Sequence, residues 1–369
     1  MKIGIDARLW NETGVGRYIR ALVTHLMELD TKNEYVVFLR AREFHKIHFS
    51  RSNWQTQIAD VSWHSLAEQL EMPGIYKSHN LDLLHIPYFA VPFFTPQPYV
   101  VTIHDLTISR FATGLATTRP LPIYGLKRLG YNLVLTRALK RAQTIITVSQ
   151  TVKQELLTEY QLPPDKVKVI YEAGELETTA AETKIKAPEP YLLYVGNAHP
   201  HKNLERLLAA FPLLKVEFPK LHLVLIGKRD YFYQRLEKQV APDASDIIFA
   251  GDVTNAELIY WYKHALALVF PTLAEGFGIP GLEAMTLGCP VVASRLPVFT
   301  EIYGEAAAYF DPYDTGQLVK TLTQILKNKT WRQKLISQGH VQSKLYSWKK
   351  MAAATLNIYE DSLSLRSRK

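Results

Sequence analysis

The run Phe270-Pro271-Thr272-Leu273-Ala274-Glu275-Gly276-Phe277-Gly278-Ile279-Pro280-Gly281-Leu282-Glu283-Ala284 passes from an apolar strand end, through a glycine loop, into a helix. Pro280 stands where a first helical residue is favoured. Strand, glycine turn and helix in that order make one βα unit, the repeating element of a parallel sheet covered by helices. Glu275 then lies on the loop and Glu283 in the first helical turn. Between them Gly276, Phe277, Gly278 and Ile279 can turn N–H groups toward an anion at a helix N-terminus. Each carboxylate can accept hydrogen bonds from a vicinal diol. Such a site suits a sugar nucleotide, with one diol on the sugar and one on the ribose. A paired-acid glycosidase also uses two carboxylates, but it needs no phosphate cradle between them. The plainer alternatives are a helix-dipole acid at Glu283 and a solvated loop acid at Glu275.

The same alternation extends outward in both directions. Around the quoted unit, strands are expected at Tyr191 to Val195, Leu221 to Ile226, Ile247 to Phe249, Ala267 to Phe270 and Pro290 to Ser294, with helices at Leu204 to Leu214, Thr254 to Ala265 and Pro280 to Leu287. Thr254 and Glu257 form a capping-box pattern that marks one helix start. Toward the N-terminus, β-rich runs at Lys2 to Asp6, Tyr35 to Leu39, Leu81 to His85, Tyr99 to Ile103 and Thr144 to Val148 alternate with helical ones at Gly14 to Leu29, Leu121 to Ala142 and Val152 to Tyr160. Residues 173–190 lack apolar periodicity and read as a linker. The expected organisation is α/β: one Rossmann-like parallel-sheet domain over 1–172, a second over 191–345, and a C-terminal helix in 346–369 able to cross back to the first domain. Two such layers meet across a cleft at their strands' carboxyl ends, where open α/β sheets bind ligands.

Two stretches of the first domain carry chemistry. After the strand Ile3-Gly4-Ile5-Asp6 comes Thr13-Gly14-Val15-Gly16-Arg17, followed by apolar residues at helical spacing. Glycines there let backbone approach an anion at a helix N-terminus, or simply serve a tight turn. Ile19 stands where a dinucleotide fingerprint has its third glycine, which argues against an NAD enzyme. Thr102-Ile103-His104-Asp105-Leu106 puts His104 and Asp105 at a strand's carboxyl end.

Composition sets the class. The chain has 369 residues, 47% hydrophobic and 21% charged, which allows two or three folded domains and excludes a disordered chain. One cysteine, Cys289, permits no intrachain disulfide, and the opening MKIGIDARLW lacks a secretory pattern, so a cytoplasmic address is expected. The apolar stretch from Ile86 to Val101 is interrupted by four prolines and is too short to span a membrane. The net charge of +8 is matched by the eight basic residues between Asp105 and Glu155, where no acid occurs. Arg119, Lys127, Arg128, Arg137, Lys140 and Arg141 alternate with apolar residues there. An amphipathic helix lying on an anionic membrane fits that mixture, and so does a core helix with a solvated basic face. Nucleic acid is disfavoured, because no nucleic-acid-binding motif accompanies the patch.

With these residues in place, the chain resembles the retaining glycosyltransferases of family 4, of GT-B fold, and especially the mannosyltransferase-like branch that builds bacterial polysaccharides and glycolipids. The resemblance runs along nearly the whole chain: IDARLWNETGVGRYIRAL from Ile5, VVTIHDL from Val100, IITVSQTVKQEL from Ile145, YVGNAHPHKNLERLLAAF from Tyr194, IIFAGDVTNAELIYWY from Ile247, VFPTLAEGFGIPGLEAM from Val269 and GCPVVAS from Gly288 follow the family's order. It implies that Gly14, Val15, Gly16 and Arg17 border the donor phosphates and the acceptor, with Asp105 on the acceptor side. It also implies that His104 faces the transferred sugar and that Asn197 and Lys202 lie at the diphosphate. Gly251, Asp252 and Val253 would border the base, Glu275 the sugar, Gly276 to Ile279 the phosphate and sugar, and Glu283 the ribose. Asn197 and His201 stand where family members often carry arginine. The diphosphate charge is then left to Lys202, helped by Arg17 or a partly protonated His201.

The resemblance implies transfer of a hexose, mannose from GDP-mannose, to a glycan or lipid-linked acceptor with retention at the anomeric carbon. His104, Lys202 and Glu275 would be the catalytic group, with no metal site and no cofactor beyond the nucleotide sugar. Two other readings stand beside it: a non-catalytic nucleotide-sugar-binding or membrane-scaffold protein, and an NDP-sugar epimerase or a phosphorylase.

Overall fold

The computed structural model describes residues 1–107, 121–176, 185, 187–241 and 244–364, without the side chains of 121–129, 363 and 364. The chain divides into two units: the described residues up to 172 together with those from 348 on, and the described residues of 173–347.

In the first unit the strands are β1 (Lys2–Asp6), β2 (Glu34–Leu39), β3 (Trp54–Ile58), β4 (Leu83–Ile86), β5 (Tyr99–Ile103), β6 (Thr144–Thr147) and β7 (Val167–Val169). They form one parallel sheet in the order β3-β2-β1-β4-β5-β6-β7. Helices α1 (Gly14–Leu29), α2 (Ala41–Phe44), α3 (Leu66–Lys77), α4 (Leu121–Arg141) and α5 (Gln150–Tyr160) connect them. Tyr18, Ile19, Leu22, Val23 and Leu26 form the buried stripe of α1, the three-to-four-residue spacing that seats a helix on a sheet.

The second unit repeats the plan with β8 (Tyr191–Val195), β9 (His222–Ile226), β10 (Ile247–Gly251), β11 (Ala267–Phe270), β12 (Val291–Ser294) and β13 (Ala307–Phe310). Its parallel order is β10-β9-β8-β11-β12-β13. Its helices are α6 (Leu204–Glu217), α7 (Tyr231–Glu237), α8 (Asn255–His264), α9 (Ile279–Thr286), α10 (Pro297–Tyr303), α11 (Thr315–Lys327) and α12 (Lys329–Ser343). The last helix, α13 (Trp348–Ser364), belongs to the first unit and packs on α1. Its Tyr359 hydroxyl lies 2.6 Å from His85 Nδ1, and His85 Nε2 lies 2.8 Å from Thr102 Oγ1, so a buried polar chain ties α13 to β4 and β5. Burial lowers the His85 pKa to about 3, with His104 adding to the shift.

Residues 173–176, expected to open a linker, are already docked on the second unit. Ala173 is buried, and Gly174 lies so close to the α9 backbone at Leu282 and Glu283 that no side chain would fit. Among the described residues no helix is long and apolar enough to cross a membrane.

Candidate functional site

In the second unit the strand order reverses between β8 and β11, because β8 is followed in the chain by β9 on one side and meets β11 on the other. Chains leaving the two strands diverge there and open a crevice at the carboxyl ends. The loop after β8 carries Asn197, His199, His201 and Lys202, and the loop after β11 carries Glu275. Lys202 Nζ lies 2.5 Å from Glu275 Oε2, with the two side chains 12% and 21% exposed. The ammonium also sits 5.6 Å from the Phe270 ring centre.

Backbone and side-chain bonds hold the two loops together. Leu273 N–H donates to the His201 carbonyl at 2.7 Å, and Thr272 Oγ1 donates to the same oxygen at 3.0 Å. Asn203, in the left-handed region at φ 58°, uses its amide to donate to the carbonyls of Pro271 and Pro312. The Asn197 carbonyl accepts from Tyr194 OH at 2.6 Å, so it is spent on the protein. Burial, then Lys202 and His199, lowers the His201 pKa to about 3. His201 is therefore neutral near pH 7, and the expected partly protonated helper of Lys202 is corrected. Burial and Lys202 shift His199 down as well.

Helix α9 begins at Ile279 with Pro280 second, so Glu283 is the fifth helical residue and not part of the first turn as expected. Glu283 is fully buried, and Tyr262 OH on α8 donates to its Oε2 at 2.8 Å. Gly278, at φ +99°, precedes the helix, and Tyr303 OH from α10 donates to its carbonyl at 2.6 Å. A Cβ on Gly278 or Gly281 would fall within 2.4 Å of that Tyr303 ring or hydroxyl, which explains both glycines. Phe277 is buried, edge-on to Tyr346 at 5.7 Å, so any ligand contact from it runs through backbone. Gly251 is at φ +73° with open space where a side chain would stand, Asp252 is exposed and Val253 half-buried.

In the first unit His104 and Asp105 follow β5. His104 Nδ1 lies 2.9 Å from Glu172 Oε1, its Nε2 lies 3.0 Å from the Pro87 carbonyl oxygen, and its ring meets Tyr18 edge-on at 4.9 Å. Burial alone would lower the His104 pKa, but the Glu172 hydrogen bond and charge outweigh it and the net direction is up. Asp105 Oδ1 accepts from Thr107 N–H at 2.7 Å, the geometry of a turn. Gly14 is exposed and Val15 and Arg17 half-buried at the start of α1. Gly16, inside α1, faces the Leu9 and Trp10 carbonyls at distances that exclude a Cβ, so close backbone approach requires glycine there independently of any ligand.

Of the basic stretch, Arg119 and the side chains of Lys127 and Arg128 lie outside the described residues. Lys140 and Arg141 are exposed at the end of α4, and Arg137 stacks on Phe93 at 3.9 Å while its Nε donates to the Phe93 carbonyl. Sequence reasoning missed Glu172, Tyr262, Tyr303 and Asn203. A polar residue at the end of a buried run is the only trace Glu172 leaves.

Residues 13–176 match the description Glycosyltransferase Family 4, and residues 176–342 match Glycosyl transferases group 1. The O-antigen chain mannosyltransferase B of Escherichia coli is 31% identical over 294 residues, covering 75% of this chain and 74% of that protein. The O-antigen chain mannosyltransferase RfbU of Salmonella typhimurium is 27% identical over 316 residues, covering 82% and 84%. In structure, the sucrose-phosphate synthase of Thermosynechococcus elongatus superposes over 99% of this chain and 100% of that one with a TM-score of 0.80 at 19% identity, a likeness of fold. With both halves matched and a relative above 30% identity spanning most of either chain, this protein belongs to the family 4 glycosyltransferases and has their GT-B architecture.

Proposed function

We propose that the chain transfers mannose from GDP-mannose to a glycan or lipid-linked acceptor, with retention at the anomeric carbon. The observation that carries this reading is the Lys202–Glu275 pair at the β8/β11 reversal, beside the glycine loop and the buried Glu283. The mannosyl specificity rests on relatives whose names carry that sugar. Lys202 stabilises the departing nucleotide diphosphate, Glu275 holds hydroxyls of the sugar, and Glu283 holds the ribose, all without a metal ion. The bond from C1 to the β-phosphate oxygen breaks and a bond from C1 to the acceptor oxygen forms on the same face. The acceptor's proton passes to the departing phosphate oxygen.

Thermal-shift measurements with GDP, UDP, ADP, dTDP and their sugar conjugates test the donor, since selective binding raises apparent stability by mass action. A shift confined to GDP and GDP-mannose supports the reading. No shift with any nucleotide in a folded protein would replace it with a non-catalytic role.

We also propose that the first unit rests peripherally on the cytoplasmic face of an anionic membrane. Exposed Arg141 and Lys140 lie on the same helix as Leu133, which is 61% exposed, and Arg137 covers Phe93 beside the 69%-exposed Phe94. Cations around exposed apolar side chains suit a lipid headgroup layer. Co-sedimentation with liposomes should require anionic lipid and weaken with salt; binding indifferent to both would reject the idea.

A further inference from the structure

His104 keeps both ring nitrogens occupied within the first unit: Nδ1 by Glu172 Oε1, from the segment after β7, and Nε2 by the Pro87 carbonyl oxygen, from the segment after β4. A neutral imidazole has one N–H and one lone pair. Opposite an ionised Glu172, either neutral tautomer would set its lone pair against an oxygen that can only accept. The doubly protonated ring makes both bonds. We propose that Glu172 is a positioning residue of the transfer reaction, holding His104 as a fixed imidazolium that meets substrate as a permanent cation and not as a proton donor. The role of His104 toward substrate rests on the transferase reading; the bonds that hold the ring do not.

The groups around the ring favour a single positive charge there. The side chains of His104 and Glu172 are 12% and 4% exposed, and a charge-assisted bond shielded from water is stronger than one in it. Tyr18 on α1 meets the ring edge-on, and its own hydroxyl lies 3.2 Å from Thr102 Oγ1. Burial raises the Tyr18 pKa, so it stands there as a neutral phenol. His85 on β4 is the nearby group of like charge, and burial keeps it neutral, so His104 does not compete with a second cation. Burial alone would pull the His104 pKa down; the Glu172 bond and charge, the Pro87 carbonyl and the Asp105 charge together carry it up.

The arrangement limits what His104 can do. With both N–H groups spent on the protein, the ring offers a substrate oxygen its charge through the carbon edge. To pass a proton on, it would have to give up one of the two bonds and leave a largely buried oxygen without its donor, at the cost that an unmade hydrogen bond carries. A cation fixed before substrate arrives needs no reorganisation during the reaction.

Hydrolysis of GDP-mannose by the full chain tests this, with water in place of the acceptor and GDP binding measured alongside. The bond from C1 to the β-phosphate oxygen breaks, the water oxygen bonds to C1, one water proton passes to the departing phosphate oxygen and the other stays on the new hydroxyl. Glu172→Gln is expected to lower kcat about 10- to 100-fold while KM and GDP affinity change less than about threefold. The alkaline limb of its kcat should move down by about one pH unit or more, toward the ordinary 6.5 of histidine. Glu172→Asp, which keeps the charge, should restore the limb, and melting curves check the folding of both variants. In the wild type, which needs no variant to fold, nitrogen NMR shifts of His104 at neutral pH should be those of two N–H nitrogens. A lone-pair nitrogen on His104, an unchanged kcat in Glu172→Gln, or a lowered kcat with an unmoved limb would each overturn the positioning role and leave the transferase reading standing. No cleavage of GDP-mannose by the wild type would also overturn it, and if GDP does not bind either, the transferase reading falls as well.

Discussion

Glu172 Oε1 stands 2.9 Å from His104 Nδ1, while the other ring nitrogen faces the Pro87 carbonyl at 3.0 Å. A carbonyl can only accept, and a carboxylate next to the second nitrogen accepts as well, so the ring satisfies both by donating twice as an imidazolium. The two residues are 68 positions apart, and both are mostly buried.

A histidine whose folded pKa lies above its ordinary 6.5 contributes stability that is full below that value and is lost as pH rises through the folded one. Glu172→Gln is therefore expected to cost about 1.5–3 kcal/mol near pH 6 and distinctly less near pH 9. Urea unfolding at both pH values measures this, and an imidazole NMR titration should show the His104 pKa falling. An equal loss at both pH values would mean that the histidine's charge contributes nothing.

His85 and His201 act with the opposite sign. Both are lowered to about 3, so the unfolded chain takes up protons that the folded one refuses as pH drops below 6.5. Stability should then fall by up to about 1.4 kcal/mol per pH unit for each group through that window. His201→Gln is expected to make the acid side of the stability profile shallower, as read by thermal melts from neutral pH downward.

Glu283→Gln should keep the fold and weaken nucleotide binding by roughly 10- to 150-fold, corresponding to about 1.5–3 kcal/mol for a charged acceptor. Tyr262→Phe removes one bond to the same carboxylate and should cost less affinity. Titration calorimetry separates the two, and unchanged affinity in folded Glu283→Gln would remove the ribose assignment.

Glu275→Gln is expected to lower turnover more than nucleotide affinity, because its partner is the transferred sugar. Lys202→Met should lower both. Steady-state kinetics beside direct nucleotide binding will distinguish these patterns.

Gly281→Ala sets a methyl 2.3 Å from Tyr303 Cζ. A loss of about 1–3 kcal/mol is expected from this overpacking, partly recovered when Tyr303→Leu is added to the same chain. Urea midpoints of the single and double variants check the coupling.

The α/β plan was legible because buried parallel strands read as apolar runs and the helices between them carry a face at helical spacing. Gly14–Leu29, Tyr99–Ile103, Tyr191–Val195 and Ala267–Phe270 have the bounds their residues suggest. Trp54–Ile58 was missed because it is an edge strand of sequence Trp-Gln-Thr-Gln-Ile, with polar residues on an open side. Leu66–Lys77 hides behind Pro73 and Gly74, and its buried residues are Glu68, Met72 and Tyr76, one of them charged. Within the site, the loop bearing Glu275 and the helix bearing Glu283 could be read because strand, glycine and helix are contiguous. The partners that hold them could not: Lys202 meets Glu275 across 73 residues, and Tyr303 meets Gly278 across 25. No local pattern encodes such pairings, because only the completed sheet brings the loops at strand ends together.

The return of α13 to the first unit makes the order of synthesis matter. As the chain leaves the ribosome from its N-terminus, β1 through β7 emerge early, yet the helix that covers α1 and bonds His85 through Tyr359 emerges only after the whole second unit. The second unit, continuous from 173 to 347 among its described residues, emerges ahead of that helix. A nascent chain thus carries an uncovered apolar face on its first unit until Trp348–Ser364 has emerged, and a stop codon between the two units' strands would leave that face open to proteases and chaperones.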